Sequence, residues 1–143
     1  MASFTKVNDF VVNLANTMDL DGDTLIVALS NTDPASGTDI RSDGNGILAN
    51  CSQISYTNLS SRTLQNVTST QSSGTYKLSA DDLTLTASGG SVAAFRYIVI
   101  FDDTVTSPAD PVIGYYDYGT SLTLNDGDTF TIDIGTNGIL TLT

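Results

Sequence analysis

Residues 95–118, FRYIVIFDDTVTSPADPVIGYYDY, are the part of the sequence around which the rest can be arranged. Two runs within it, 95–101 and 112–118, are rich in β-branched and aromatic residues, which favour a pleated sheet. Both faces of the first run are largely apolar, as is typical of a strand covered on both sides in the middle of a sheet. Proline and aspartate in residues 102–111 favour a loop. The stretch therefore predicts two paired strands joined by a loop.

Short alternations of apolar and polar residues, separated by turn residues, continue this pattern along the chain. The predicted strands are residues 24–29, 75–78, 83–87, 122–124, 129–134 and 139–142. The turn sequence NDGD at 125–128 predicts a hairpin between the strands on either side of it. Residues 58–73 fit either an edge strand or an exposed loop. Such short strands predict a mainly β fold, an antiparallel β-sandwich or a jelly-roll-like barrel.

One short N-terminal helix is expected over residues 3–18. Apolar residues occur there at i, i+3, i+4, i+7 and i+11, which forms one stripe on a helix. The stripe consists of Val7, Phe10, Val11, Leu14 and Met18. Ser3 is the expected N-cap. We favour docking of this stripe on the chain's own sheet, and the alternative is that the helix, or the arm before it, docks on a partner.

Length and composition limit the classes of partner. The 143 residues suit a single domain, residues 1–143, and the single Cys51 is expected to be half-buried rather than bridged. The net charge is −11, with only five Lys and Arg, so we expect no nucleic-acid partner. No apolar run approaches the roughly 18 residues of a membrane span, and no signal-peptide pattern opens the chain. We therefore expect no membrane partner and synthesis in a cytoplasm.

Catalytic and metal-binding motifs are not apparent. Histidine, the commonest general base and metal ligand, is absent. Residues 19–23, DLDGD, resemble the start of a calcium loop, but Thr24 stands where glycine is needed and Ser30 where glutamate is needed. The Asp pairs at 81–82 and 102–103 are neighbours on the chain, so their side chains point to opposite faces of a strand. We therefore expect no enzyme activity, no metal and no cofactor.

Three tyrosines, Tyr115, Tyr116 and Tyr118, with aspartates nearby, have the composition of a carbohydrate-binding surface. The simpler interpretation is that these rings pack the sheet and leave their hydroxyls at its edge, as amphipathic aromatic residues usually do.

Several stretches together resemble a known family. They are SFTKVNDFVVNLAN, DTLIVALSNTDP, SGTYKLSADDLTLTASGG, FRYIVIFDD, ADPVIGYYDYGTSLTLNDGDTFTIDI and GILTLT. In chain order, turns and aromatic residues they are similar to small virion proteins of tailed bacteriophages, over nearly the whole chain except residues 37–73. The resemblance implies a capsid decoration, or cement, protein that is made in the cytoplasm of a bacterial host and lies on the capsid exterior. Its partners would be the major capsid protein and neighbouring copies of the chain, as a homo-oligomer or side by side on the shell.

Two alternatives remain within that resemblance. One is a host-glycan-binding module of a phage tail or fibre, and the other is a tail or connector subunit, which would form rings. For a decoration protein, the N-terminal arm, residues 1–10, and the long loop, residues 31–45, are the predicted contact regions, since loops and arms on a compact scaffold commonly carry function. The candidate residues are Ser3, Phe4, Val7, Phe10, Thr32, Asp33 and Pro34.

Overall fold

The computed structural model describes residues 2–143, which form nine β-strands and one α-helix. In chain order they are β1 Phe4–Lys6, α1 Phe10–Asn16, β2 Leu25–Ser30, β3 Thr68–Ser72, β4 Thr75–Ser79, β5 Leu83–Thr86, β6 Phe95–Asp102, β7 Val112–Leu122, β8 Thr129–Ile132 and β9 Leu140–Leu142. All strand pairings are antiparallel. The predicted mainly β, sandwich-like fold with one short helix is confirmed.

The largest sheet has the strand order β1-β7-β6-β2. Its centre is the predicted pair, in which Ile98 lies opposite Tyr116 and Ile100 lies opposite Gly114. Strand β2 covers the other side of β6, with Val27 opposite Ile100. Every residue of β6 except Arg96 is buried, because the strand is covered on both faces.

Two smaller sheets, β3-β4-β9 and β5-β8, pack against this sheet. The predicted hairpin between residues 122–124 and 129–134 is wrong. Strand β7 continues to Leu122, which pairs with Phe95, and β8 pairs with β5 instead. The turn itself is present, but the Gly127 amide donates to the Ala87 carbonyl at 2.8 Å, which directs the chain towards β5. This pairing lets the Phe130 ring pack edge-on against Phe95, with 5.5 Å between ring centroids.

The N-terminal helix is shorter than the predicted range of 3–18. Residues Phe4–Lys6 form an edge strand along β7, and the helix begins only at Phe10. Gly114 permits this pairing, because a Cβ at that position would lie 2.3 Å from the Thr5 carbonyl oxygen and 2.7 Å from the Phe4 ring. Ser3 is therefore not the N-cap, a position taken by Asp9.

The sequence of residues 58–73 fits either an edge strand or an exposed loop, and the segment contains both an edge strand and irregular structure. Its last part is the edge strand β3, while residues 62–64 run along the outer edge of β2. There the Val27 amide donates to Arg62 at 2.9 Å and the Leu64 amide donates to Leu25 at 3.0 Å. This irregular segment protects an edge of the main sheet that would otherwise expose unpaired backbone groups.

Cys51 is half-buried and packs against the core, as predicted. Burial raises the pKa of its thiol to about 11, and the Ser30 hydroxyl beside it opposes that rise. The thiol is therefore protonated at neutral pH, and it serves as a small packing group rather than as a nucleophile.

Candidate functional site

The two faces of the four-stranded sheet differ in what covers them. Tyr115 lies opposite Val99 and Tyr116 lies opposite Ile98, so strand alternation sends these consecutive tyrosines to opposite faces. We call the Tyr115 side, with Tyr97, the sealed face, because each of these two tyrosines is only 6% exposed. We call the Tyr116 side the open face, because Tyr118 on it is 47% exposed.

The sealed face is covered by helix α1 and residues 31–45, which we call the outer cover. Hydrogen bonds join its two parts. The Asn8 side chain donates to the Asp43 carboxylate at 3.1 Å, and the Asp9 carboxylate accepts from the Gly44 and Gly46 amides at 3.0 and 2.9 Å. The last residues of the predicted arm, 8–10, are therefore joined to the predicted loop, whereas Phe4–Lys6 form the edge strand along β7.

Residues 31–45 also account for the burial of the tyrosines beneath them. Ile40 is fully buried. Burial raises the pKa of the Tyr115 hydroxyl, with the nearby Arg41 guanidinium opposing the rise and the Asp33 carboxylate adding to it. The long loop is thus packed on the sheet, and its exposed residues are held in fixed positions.

The predicted contact residues separate into two groups. Those that are exposed or half-buried are Ser3, Phe4, Thr32 and Asp33. Those that are buried within the chain itself are Val7, Phe10 and Pro34. The buried three hold the helix and the loop in place, so their side chains do not reach a partner surface as the sequence had suggested. Met1, within the predicted arm, lies outside the described residues.

Sequence reasoning missed two exposed large apolar residues of the outer cover. Val11 and Val12 are 50% and 52% exposed. In this seven-residue helix Phe10 and Asn13 face inward, so the two valines between them must face solvent. The predicted stripe had placed Val11 on the inner side, and the hydrophobic pattern gave no signal that the polar Asn13 would be buried instead. The helix sequence FVVNLAN contains no charged residue.

The open face contains a cleft of about 380 Å³ between the main sheet and β8. Tyr116 and Tyr118 form one wall, and Phe130 and Asp133 belong to the opposite wall. The Tyr118 and Phe130 rings meet edge-to-face, with centroids 5.2 Å apart and an interplanar angle of 72°. Of the three tyrosines considered from the sequence, the structure brings two together with an aspartate, and Tyr115 lies on the other face.

A second groove, of about 500 Å³, continues from the cleft between β1 and β9. Both spaces share Tyr116, whose ring packs edge-on against Phe4 with centroids 4.9 Å apart. Burial raises the pKa of the Tyr116 hydroxyl. Lys6 lines the second groove but not the cleft, so the cleft itself carries negative charge only.

The acidic residues that suggested a calcium loop serve as turn residues. The Asp19 carboxylate accepts from the Asp21 and Gly22 amides at 3.3 and 3.2 Å, which confirms the predicted turn.

Asp23 lies beside Asp102, which is fully buried. Burial first, and the Asp23 carboxyl second, raise the pKa of Asp102 to about 6. Nowhere in residues 2–143 do three metal-ligating side chains converge.

The fold and its surfaces define a small acidic β-sandwich-like protein with an uncharged apolar helix surface on one side and an aromatic cleft on the other. No helix in the described part of the chain has the length and apolar character needed to cross a bilayer. Comparisons with protein-family models, with curated proteins and with solved structures gave no match.

Proposed function

We propose that this chain is a capsid decoration protein, which binds the outer surface of an assembled tailed-phage shell and stabilises it. The observation that carries the proposal is the outer cover. Hydrogen bonds join the end of the N-terminal arm to the long loop there, and Val11 and Val12 on the adjoining helix are exposed. An exposed apolar pair beside a fixed loop is a feature of protein-contact surfaces.

The charge of the protein supports contact through this helix. With a net charge of −11, most of the surface repels neighbouring copies and other acidic proteins. Helix α1 carries no charge, so it approaches a shell without that repulsion. Burying the exposed half of each valine would contribute roughly 1 kcal/mol per residue. The valines would thus anchor the contact, and the exposed Thr32 and Asp33 would lie on the same cover.

Stabilisation of a shell by such a protein follows from mass action. A ligand that binds only the assembled form stabilises it by about 2.7 kcal/mol per site at a hundredfold excess over its dissociation constant. The proposed partner is the major capsid protein, with neighbouring copies of the chain around it. The role requires no catalytic residue and no DNA contact, which suits a chain with five basic residues.

The test is to mix the purified protein with expanded capsid shells that lack it, pellet the shells and then heat them. We expect stoichiometric co-pelleting and a higher shell melting temperature. The V11S/V12S double variant should bind at least about tenfold more weakly, the equivalent of about 1.4 kcal/mol. The matched control is Tyr118→Ser, which changes an exposed apolar residue on the other side of the molecule and should bind normally.

Two results would replace this proposal. If the protein fails to bind shells and forms closed rings in sedimentation velocity, a tail or connector subunit becomes the better interpretation. If immunogold labelling places the protein on tails or fibres, the host-recognition alternative gains instead. If the two valine substitutions leave shell binding unchanged, the decoration role is supported. The contact with the shell then lies outside helix α1.

A further inference from the structure

We infer that the cleft on the open face is a binding site for a neutral carbohydrate. The cleft combines an exposed aromatic ring with polar groups on its walls. Tyr118 is 47% exposed, and its edge-to-face contact with Phe130 leaves a ring surface turned towards solvent. A pyranose ring presents an apolar C–H face that stacks on such a surface, while its hydroxyls require hydrogen-bonding partners nearby.

The polar groups of the cleft suit a polyhydroxylated ligand. Burial raises the pKa of the Tyr116 hydroxyl, and Tyr118 lines the same cleft. Thr129, Thr131 and Asp133 also line the cleft, and the Thr131 hydroxyl shares a hydrogen bond with the Thr84 hydroxyl at 3.0 Å. Hydroxyls both donate and accept, and the carboxylate accepts, so together they match sugar hydroxyls.

Charge and ring geometry select among ligand classes. The cleft contains Asp133 and no basic residue, so acidic sugars and phosphates are repelled. A quaternary ammonium ion would need several ring faces around it. Here the two rings meet at 72°, which leaves a single platform rather than a cage. A neutral hexose or a short neutral glycan therefore fits best.

The experiment is an amide NMR titration of the full-length protein with methyl glycosides of glucose, galactose, mannose and N-acetylglucosamine. We expect saturable shifts at Tyr116, Tyr118 and Phe130 for at least one of them, with a dissociation constant on the order of 1 mM for a ligand of this size. Glucuronate and N-acetylneuraminate should bind more weakly, and tetramethylammonium should cause no saturable shift at these residues.

Variants separate stacking from unrelated effects. Tyr118→Ala should weaken binding by about tenfold or more, and Tyr118→Phe should retain the stacking and lose less. Asp133→Asn should raise the affinity for the acidic sugars. The control is Asp103→Asn, an exposed carboxylate outside the cleft, which should leave binding unchanged. Because Tyr118 is exposed, its variants are expected to fold, and unchanged amide shifts on the sealed face would verify that they do.

This inference does not rest on capsid binding, and the V11S/V12S variant should bind sugar normally. No saturable shift with any neutral glycoside would overturn the inference. So would equal binding by Tyr118→Ala, or a preference for acidic sugars or for tetramethylammonium. Loss of shell binding with sugar binding retained would remove the proposed function alone.

Discussion

The four-stranded sheet has two faces formed by the same strands. One face is covered, and the other is partly exposed to solvent. On the sealed face, Tyr97 and Tyr115 are each 6% exposed beneath the outer cover. On the open face, Tyr118 is 47% exposed beside a cleft of about 380 Å³. The sealed face is covered by one long loop and one helix, whose side chains fill the space above the sheet. The open face is covered by short strands that leave gaps between them.

This difference shows how neighbouring residues acquire separate roles. Tyr115 and Tyr116 are consecutive, yet one packs under Arg41 and the other lines the cleft. The pleat of a strand alone separates them. A cluster of aromatic residues in a β-rich sequence therefore needs to be divided between two faces before any binding role is given to it.

The largest expected effect comes from breaking the sealed face. Phe10 is fully buried and anchors helix α1, so Phe10→Ala should lower the free energy of unfolding by about 3–5 kcal/mol. Urea unfolding measures this effect. The control is Val12→Ala in the same helix, which should change stability by less than about 0.5 kcal/mol because its side chain is exposed. Similar small losses in both variants would mean that the cover is not held by Phe10.

A smaller effect is expected from breaking the edge of the open face. A Cβ at position 114 would meet the Thr5 carbonyl at 2.3 Å, so Gly114→Ala should push β1 away from β7. We expect a loss of about 1–3 kcal/mol, the usual cost of overpacking. Hydrogen exchange should then be faster at Phe4–Lys6 than in the native protein. Thr120→Ala, at an exposed position of β7, is the control, and unchanged protection of β1 would contradict the prediction.

The central strand pair and the N-terminal strand show which parts of the fold can be predicted from the sequence. The central strand pair was predicted because both faces of 95–101 are apolar, a local signal that survives tertiary packing. The N-terminal strand was not predicted, because the spacing of Val7 and Phe10 also fits a helix and the partner of Phe4–Lys6 lies about a hundred residues away. Likewise, the turn at 125–128 was predictable, whereas the choice of β5 as the partner of β8 was not.

The same limit applies to the candidate sites. The loop 31–45 could be predicted as a surface feature from its length and composition. The cleft could not, since it depends on Phe130 meeting Tyr118 across two sheets. The aromatic residues of the cleft can be read from the sequence, but only the pairing of β8 with β5 brings them together.

Both faces share the end of the sheet at which β6 ends, at Asp102. The Asp102 Oδ1 atom accepts from the Thr104 and Val105 amides at 2.9 and 3.3 Å, while Oδ2 has no partner among residues 2–143. Two ionised carboxylates side by side offer no donor to each other. A proton on Asp102 supplies that donor, so the folded protein holds this proton up to a pH of about 6, compared with 3.8 for an ordinary Asp.

The free energy of unfolding should depend on whether Asp102 is protonated. Because the folded pKa is raised, the contribution is complete below the ordinary pKa of 3.8 and is lost as the pH rises through about 6. Asp102→Asn provides an uncharged donor towards Asp23 at every pH. We expect it to stabilise the protein by about 1–3 kcal/mol near neutral pH and above, and to flatten the pH dependence of urea unfolding. Destabilisation of the variant at neutral pH would show that Asp102 is charged in the native protein.

The smallest stability effect, and the most informative one, is expected at Tyr118. Its ring is half exposed, so Tyr118→Ala should cost less than about 1 kcal/mol. Tyr115→Ala, which removes the same side chain from the sealed face, should cost about 3 kcal/mol or more. A small loss at Tyr118 beside a large loss at Tyr115 would fit the proposed role of the Tyr118 ring in ligand contact. If both substitutions cost the same, Tyr118 is a packing residue, the two faces are equally sealed, and the difference between them disappears.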